Sequence, residues 1–490
     1  MNKPNILLFH CHDLGRHLGC YGNPSVNSPN IDRLAAEGVR FTNSFCVAPQ
    51  CSPSRAAMFT GRYPHNNGVM GLSHSRFAWD LNQSEVHLAQ VLKQADYRTI
   101  SIGVAHESQQ DPRKLGYEIR KERREDSAGA EAVCNDAIAE LQECAEREDP
   151  FFISAGCYEP HRIPGPNEKD YMGFVGDYIE ADRSRGVHVP PYLRDDEGTR
   201  SELAELQGAV RYMDAHFGRL LDSLDELGLR ENTLVIFTTD HGVAMPRAKC
   251  TCYDPGIEIA VVLRLPSREG WHGGRAVDEL IPNIDLMPSL CELAGATLPA
   301  DVQGRSWAPL LDGKAYRHNE TIFPELTYHD YYDPIRALRS ERYKLLAFFS
   351  SAPSYMPPNQ SWKPRSSPKV PANPPTAYHP EFELYDLEKD PWESENVAEK
   401  PEYAQIRREL LQRLHAHLEE TEDPILTGAV QPPLQRDVLA ELSKGRRDDK
   451  EGRGGAAQRA AVPGARGRVG GRHRGRAGGH AGDRRDAARR

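Results

Sequence analysis

Asn5-Ile6-Leu7-Leu8-Phe9-His10-Cys11-His12-Asp13 opens the chain with a short apolar run that polar residues close abruptly. A run apolar on both faces suits a strand buried on both sides, as in a parallel sheet. Working outward, residues 99–103, 151–155, 234–238 and 259–263 read the same way. Between them lie segments of helical periodicity at 30–37, 85–94, 130–147 and 200–227. Strands alternating with helices predict an α/β domain with a mainly parallel central sheet flanked by helices. Such sheets bind ligands outside the carboxyl ends of their strands. His12 and Asp13, His106, His161, and Asp240 with His241 each follow one of these strands.

At 490 residues the chain is long for one simple core and predicts two packed domains. Its 39% hydrophobic residues come in short, separated runs, none long enough to span a bilayer. The opening apolar run is too short for a signal peptide, so a cytoplasmic location is the expectation. Ten irregularly spaced cysteines then read as buried thiols, and Cys250 with Cys252 as packing, because no second pair completes a metal site.

After about residue 330 the pattern changes. Residues 336–339 and 343–346 predict two strands around a Ser340-Glu341 turn, 383–386 another strand, and 401–419 a helix, with a Pro/Ser-rich loop at 351–380. The expected organisation is a catalytic α/β domain over 1–330 and a smaller C-terminal α+β subdomain over 331–425. Residues 445–490 hold 14 Lys/Arg against five Asp/Glu, so this tail is +9 while the rest carries −19 of the −10 total. Without aromatics or large aliphatics it reads as a disordered basic tail, and no nucleic acid or membrane is needed as a partner.

Chemistry concentrates in Cys51-Ser52-Pro53-Ser54-Arg55, followed by Ala56 to Arg62. Ser52 suits an N-cap, Pro53 a first helical residue, and Gly61 a helix end. Cys51 then stands at a helix N-terminus, where backbone N–H groups favour an anion. Arg55, one turn on, could offer its guanidinium fork to a tetrahedral oxyanion. The plain alternative is an ordinary buried cysteine ahead of an ordinary helix.

The segment resembles the sulfatase signature Cys-x-Pro-Ser-Arg with its later Thr-Gly-Arg, and residues 29–34, 41–45 and 63–68 extend the likeness. Asp240-His241-Gly242 resembles the family's metal-binding strand end, and Lys249 its basic substrate-binding position. His12-Asp13-Leu14-Gly15 resembles Asp-Asp-Leu-Gly with His12 in place of the first acid. Pro160-His161-Arg162 and Gly103-Val104-Ala105-His106 resemble two further family segments, although Val104 stands where the family has lysine. The likeness covers roughly residues 4–425, and within the family it is nearest to heparan N-sulfatase (sulfamidase)-like enzymes.

The resemblance implies an alkaline phosphatase-like fold and hydrolysis of a sulfate ester or N-sulfate on a small organic or glycan substrate. It implies a nucleophile formed when a formylglycine-generating enzyme oxidises Cys51. It also implies one divalent cation, Ca²⁺ in the family at large with Mn²⁺ or Mg²⁺ as alternatives, held by His12, Asp13, residue 51, Asp240 and His241. Arg55, His106 and His161 would be catalytic, with Lys249 and Arg162 binding substrate. A phosphonate monoester or phosphodiester hydrolase of the same superfamily, or an inactive binder of sulfated glycans, would carry many of the same residues.

Overall fold

The computed structural model describes residues 3–74, 77–111, 113–123, 127–164, 172–174, 178–354, 356–358, 362–369 and 377–444. The basic stretch 445–490 and parts of the 162–199 and 351–380 loops lie outside these residues. An eight-stranded sheet forms the centre. Its strands are β1 (Asn5–Cys11), β2 (Val39–Phe41), β3 (Arg98–Gly103), β4 (Ile119–Glu122), β5 (Phe151–Gly156), β6 (Thr233–Thr239), β7 (Val261–Arg264) and β8 (Arg275–Val277). They lie in the order β8-β2-β7-β6-β1-β5-β3-β4. β7 runs antiparallel to both of its neighbours, while the other pairs are parallel. The run at 259–263, which reads like its parallel counterparts in sequence, is therefore a reversed strand.

Period-two geometry covers both faces of this sheet. Ile6, Leu8, Leu234 and Ile236 join a core cluster with Met58 and Phe59 of α2 (Cys51–Thr60), Leu88 and Leu92 of α3 (Leu88–Gln94), and Met287 and Leu290 of a further helix at Leu286–Ala294. Leu7, Phe9, Val235 and Phe237 face the other way. There they meet Ile31 and Leu34 of α1 (Pro29–Glu37), Val133 and Leu141 of α4 (Ala130–Ala145), and Met213 and Phe217 of α5 (Glu197–Glu226). α5 starts three residues before the apolar periodicity does, because the Asp196 side chain accepts from Thr199 N at 2.9 Å and caps it.

A five-stranded antiparallel sheet follows: β9 (Thr321–Ile322), β10 (Glu325–Tyr328), β11 (Tyr332–Ser340), β12 (Tyr343–Phe348) and β13 (Phe382–Asp386). Its first two strands precede residue 331 because they pair with β11. With the helix Leu286–Ala294 taken as α6, the helix at Ala404–Glu420 is α7, and its Leu410 and Leu414 join Leu338, Leu345 and Leu384 in the cluster that contains Ile6. One apolar core therefore runs beneath both sheets.

Candidate active site

The four adjacent strands β6, β1, β5 and β3 deliver the polar residues at their carboxyl ends, at one edge of the core. After β1 the chain turns sharply, with Asp13 at φ +54° and its N–H bonded to Asp240 Oδ1 at 3.0 Å. Asp13 Oδ1 lies 2.9 Å from His241 Nε2, and Asp13 Oδ2 lies 2.6 Å from Lys249 Nζ. Gly242 permits this crowding, since a Cβ there would sit 2.0 Å from Pro255 O.

Helix α2 begins at Cys51 itself, with Gln50 as its extended N-cap, so Pro53 falls at the third helical position rather than the first. Pro53 costs no hydrogen bond there because first-turn amides have no helical partner. Ser52, expected as the cap, instead pairs its hydroxyl with Ser73 Oγ at 3.1 Å. Gly61 closes the helix in the left-handed conformation at φ +66°. All ten residues of α2 are buried. Cys51 Sγ is thereby fixed 3.4 Å from His241 Nε2, and 3.7 Å from both Asp13 Oδ1 and Lys249 Nζ. Burial pushes the Cys51 thiol well above its ordinary value, with Lys249 opposing, so the unmodified side chain stays neutral.

Arg55 is placed differently from the sequence expectation. Its side chain is wholly buried beneath the site and is absent from the cavity wall. Nε donates to Asp240 Oδ2 at 3.2 Å, one terminal nitrogen to His10 Nδ1 at 2.6 Å, and the other to Cys11 O at 3.3 Å. An arginine can only donate, so His10 Nδ1 accepts and His10 Nε2 donates to Ser154 Oγ at 3.0 Å. Burial and the neighbouring guanidinium push the His10 pKa down to about 3, which keeps that tautomer neutral. Arg55 therefore positions Asp240 instead of meeting a substrate oxyanion. Burial alone would raise the Asp240 carboxyl, but His241, Arg55 and His12 together hold it well below the usual carboxylate range.

The residues fit a divalent cation. His12, Asp13, Cys51 and Asp240 each offer a ligand atom, all within 4.8 Å of one another. His241 Nδ1 donates to Gly242 O at 2.9 Å, which turns Nε2 towards the carboxylate oxygen of Asp13. His12 is buried with neither ring nitrogen hydrogen-bonded, Nδ1 lying 3.2 Å from Asp240 Oδ2 without the alignment of a bond. A buried imidazole with both ring nitrogens unpartnered, beside two carboxylates, is a donor set that suits a cation.

A cavity of about 220 Å³ opens above Cys51, Asp13 and Lys249. His161 lies on its wall, with Nδ1 donating to Arg162 O at 2.7 Å and Nε2 3.4 Å from Lys249 Nζ. His106 stands edge-on to His12, ring centres 5.1 Å apart. Sequence reasoning missed other wall residues: His74, which stacks on His106, Tyr158, which stacks on His161, and His329, Asp330 and Trp362. Tyr158 shares the loop of His161, the others arrive from loops far along the chain, and none carries a motif.

Arg162 is also placed otherwise than expected. It donates to both oxygens of Glu202 at 2.9 Å, to Ala244 O at 2.7 Å and to Met172 O at 2.8 Å, with Met245 Sδ at 3.4 Å. The guanidinium is sandwiched between the Phe174 and Trp362 rings. With its N–H groups engaged it braces the wall and has none to spare for substrate. Arg162→Lys is expected to lower stability by about 1–2 kcal/mol, because lysine loses the fork and the stacking. KM should change little, and urea unfolding beside steady-state kinetics would check both.

Cys250 and Cys252 join no metal-capable group among the described residues, and all ten cysteines are unpaired.

Fold and site together define an α/β protein with a buried, metal-capable cluster at the strand ends of a doubly covered sheet. The sulfatase family model matches residues 4–296, and the model of the N-sulphoglucosamine sulphohydrolase C-terminal region matches 247–357. The chain belongs to the sulfatase family, and its activity is that of a sulfuric ester hydrolase. Human arylsulfatase A is 30% identical over 85% of this chain and 88% of its own length. Human N-sulphoglucosamine sulphohydrolase is 26% identical over 86% and 91%. A solved 2-O GAG sulfatase superposes with a TM-score of 0.67 at 25% identity, over 89% of this chain and 96% of that one.

Proposed function

We propose that this sulfatase removes an O- or N-linked sulfate from a single sugar or aryl ring, with residue 51 acting as formylglycine. The observation that carries the reading is the convergence on position 51 of Lys249, His241 and Asp13, each within 3.7 Å of Sγ. The names of the relatives, spanning aryl sulfates, N-sulphoglucosamine and a glycosaminoglycan, support a sulfated ring as the substrate class. A cavity of about 220 Å³ suits one ring with its sulfate better than a chain.

Formylglycine at 51, once made from Cys51 by a formylglycine-generating enzyme, would supply in its hydrated form one hydroxyl as nucleophile and a second for the release of sulfate. His12, Asp13, Asp240 and His241 would hold a divalent cation, which would supply Lewis-acid charge. Lys249 offsets charge on the sulfuryl oxygens. Burial would lower the Lys249 pKa, but the Asp13 carboxylate holds it above the ordinary lysine value, so the ammonium persists at any working pH. His161, braced through Nδ1, gives a proton from Nε2 to the departing oxygen or nitrogen. His106 takes the proton of the second hydroxyl. The two imidazoles at 12 and 241 beside two carboxylates draw the ion choice from the family's Ca²⁺ towards Mn²⁺.

The test begins with the tryptic peptide spanning residues 41–55, taken from protein of the native host, in which Cys46 serves as an internal thiol control. An aldehyde at position 51 is the expected result, and an intact thiol there would sink the formylglycine step. Rates on aryl sulfate and aryl phosphate esters, measured side by side, separate this reading from a phosphonate or phosphodiester hydrolase.

A further inference from the structure

The charges on the cavity wall divide into those already compensated and one that is not. Lys249 is paired with Asp13 at 2.6 Å, and Arg162 is spent on Glu202. The hairpin between β10 and β11 brings His329 and Asp330 onto the same wall from the C-terminal sheet. His329 Nδ1 donates to Pro358 O at 3.1 Å, and Asp330 Oδ1 lies 3.4 Å from that same nitrogen. Among the described residues, Asp330 has no lysine or arginine within ion-pair distance, and its side chain is 23% exposed. A site built to receive a sulfate thus carries a carboxylate beside the place where the rest of the substrate must lie.

Val104, just past the end of β3, is apolar and buried in the core, and it adds no cation that could offset a second negative group. A second anion on the substrate would face Asp330 with no spare guanidinium or ammonium among the described wall residues. A hydroxyl could donate to Asp330, and an ammonium could pair with it. Selectivity built from repulsion as well as attraction is a general device of binding sites.

We infer that Asp330 is a specificity-determining residue: it admits sulfated rings bearing hydroxyl or ammonium groups and disfavours those with a second sulfate or a carboxylate. This rests on the sulfatase reading and narrows it to monosulfated substrates without a further anion.

Three aryl sulfates test it on the mature enzyme: 4-nitrophenyl sulfate, 4-(aminomethyl)phenyl sulfate and 4-carboxyphenyl sulfate. At low salt kcat/KM should favour the ammonium probe over the carboxylate probe by roughly tenfold or more, the scale of one unit charge acting across a few ångströms at a partly wet site. The preference should shrink as ionic strength rises. Asp330→Asn should bring the ratio towards one. A wild-type ratio near one at low salt, with 4-nitrophenyl sulfate cleaved, overturns the inference and leaves the sulfatase reading standing. A ratio that Asp330→Asn does not move overturns it equally. No cleavage of any of the three overturns the aryl-ring reading and the inference together. Should Asp330→Asn fail to fold, the wild-type ratio and its salt dependence still decide.

Discussion

Cys51→Ala is expected to reduce sulfate-ester hydrolysis by at least about 10⁴-fold, since removing a covalent nucleophile leaves only the binding and electrostatic parts of catalysis. The fold should survive. Cys51 is 4% exposed, its side chain is small, and alanine is a better helix former at the start of α2. Thermal unfolding of the variant should therefore follow the parent closely while turnover disappears. Near-normal turnover by the purified variant would end the mechanism, whatever its metal content.

The second large effect belongs to Arg55→Met. Its guanidinium holds Asp240, His10 and the Cys11 carbonyl together without touching the cavity. Its loss leaves the Asp240 carboxylate buried without its cation. In protein stripped of metal this should cost about 3–5 kcal/mol of stability, as for other buried pairs broken from one side. In metal-loaded protein a misplaced Asp240 should weaken cation binding by about 10–100-fold. Isothermal titration with Mn²⁺, together with urea unfolding of the chelated variant, reads both. Unchanged cation affinity would mean that Arg55 does not position Asp240.

The two arginines mark the boundary of what the sequence could reveal. The helix at Cys51 is legible because a Pro near its start, a Gly at its end and a signature of fixed spacing coincide. Where the Arg55 guanidinium points is not legible, because it depends on His10 and Asp240 arriving from β1 and β6. Arg162 follows His161 by one residue, which invites a shared role. The Glu202 that claims it lies one turn into α5 and shows in sequence only as one more charge on a helix.

Strands β1, β5 and β6 stand out because burial on both faces gives them short apolar runs, and β3 because Ile100 and Ile102 sit among small residues. β2, β4 and β8 have three or four residues with arginines among them, and they leave no such trace. The reversed direction of β7 is invisible for a different reason, since an apolar run carries no polarity. His329 and Asp330 reach the cavity only through the docking of the C-terminal sheet, a contact no local pattern announces.

The pairing of Asp13 with Lys249 and of Asp240 with Arg55 also governs how the protein behaves without its ion. These four side chains are electrically neutral as a set, so without an ion the centre would hold no stranded charge to drive the strands apart. Many small metallo-domains fold only when loaded. Here chelation should abolish turnover yet leave cooperative unfolding nearly where it was, and adding the cation back should restore activity without refolding. A divalent cation in the centre would add two positive charges and draw in an incoming sulfate monoanion.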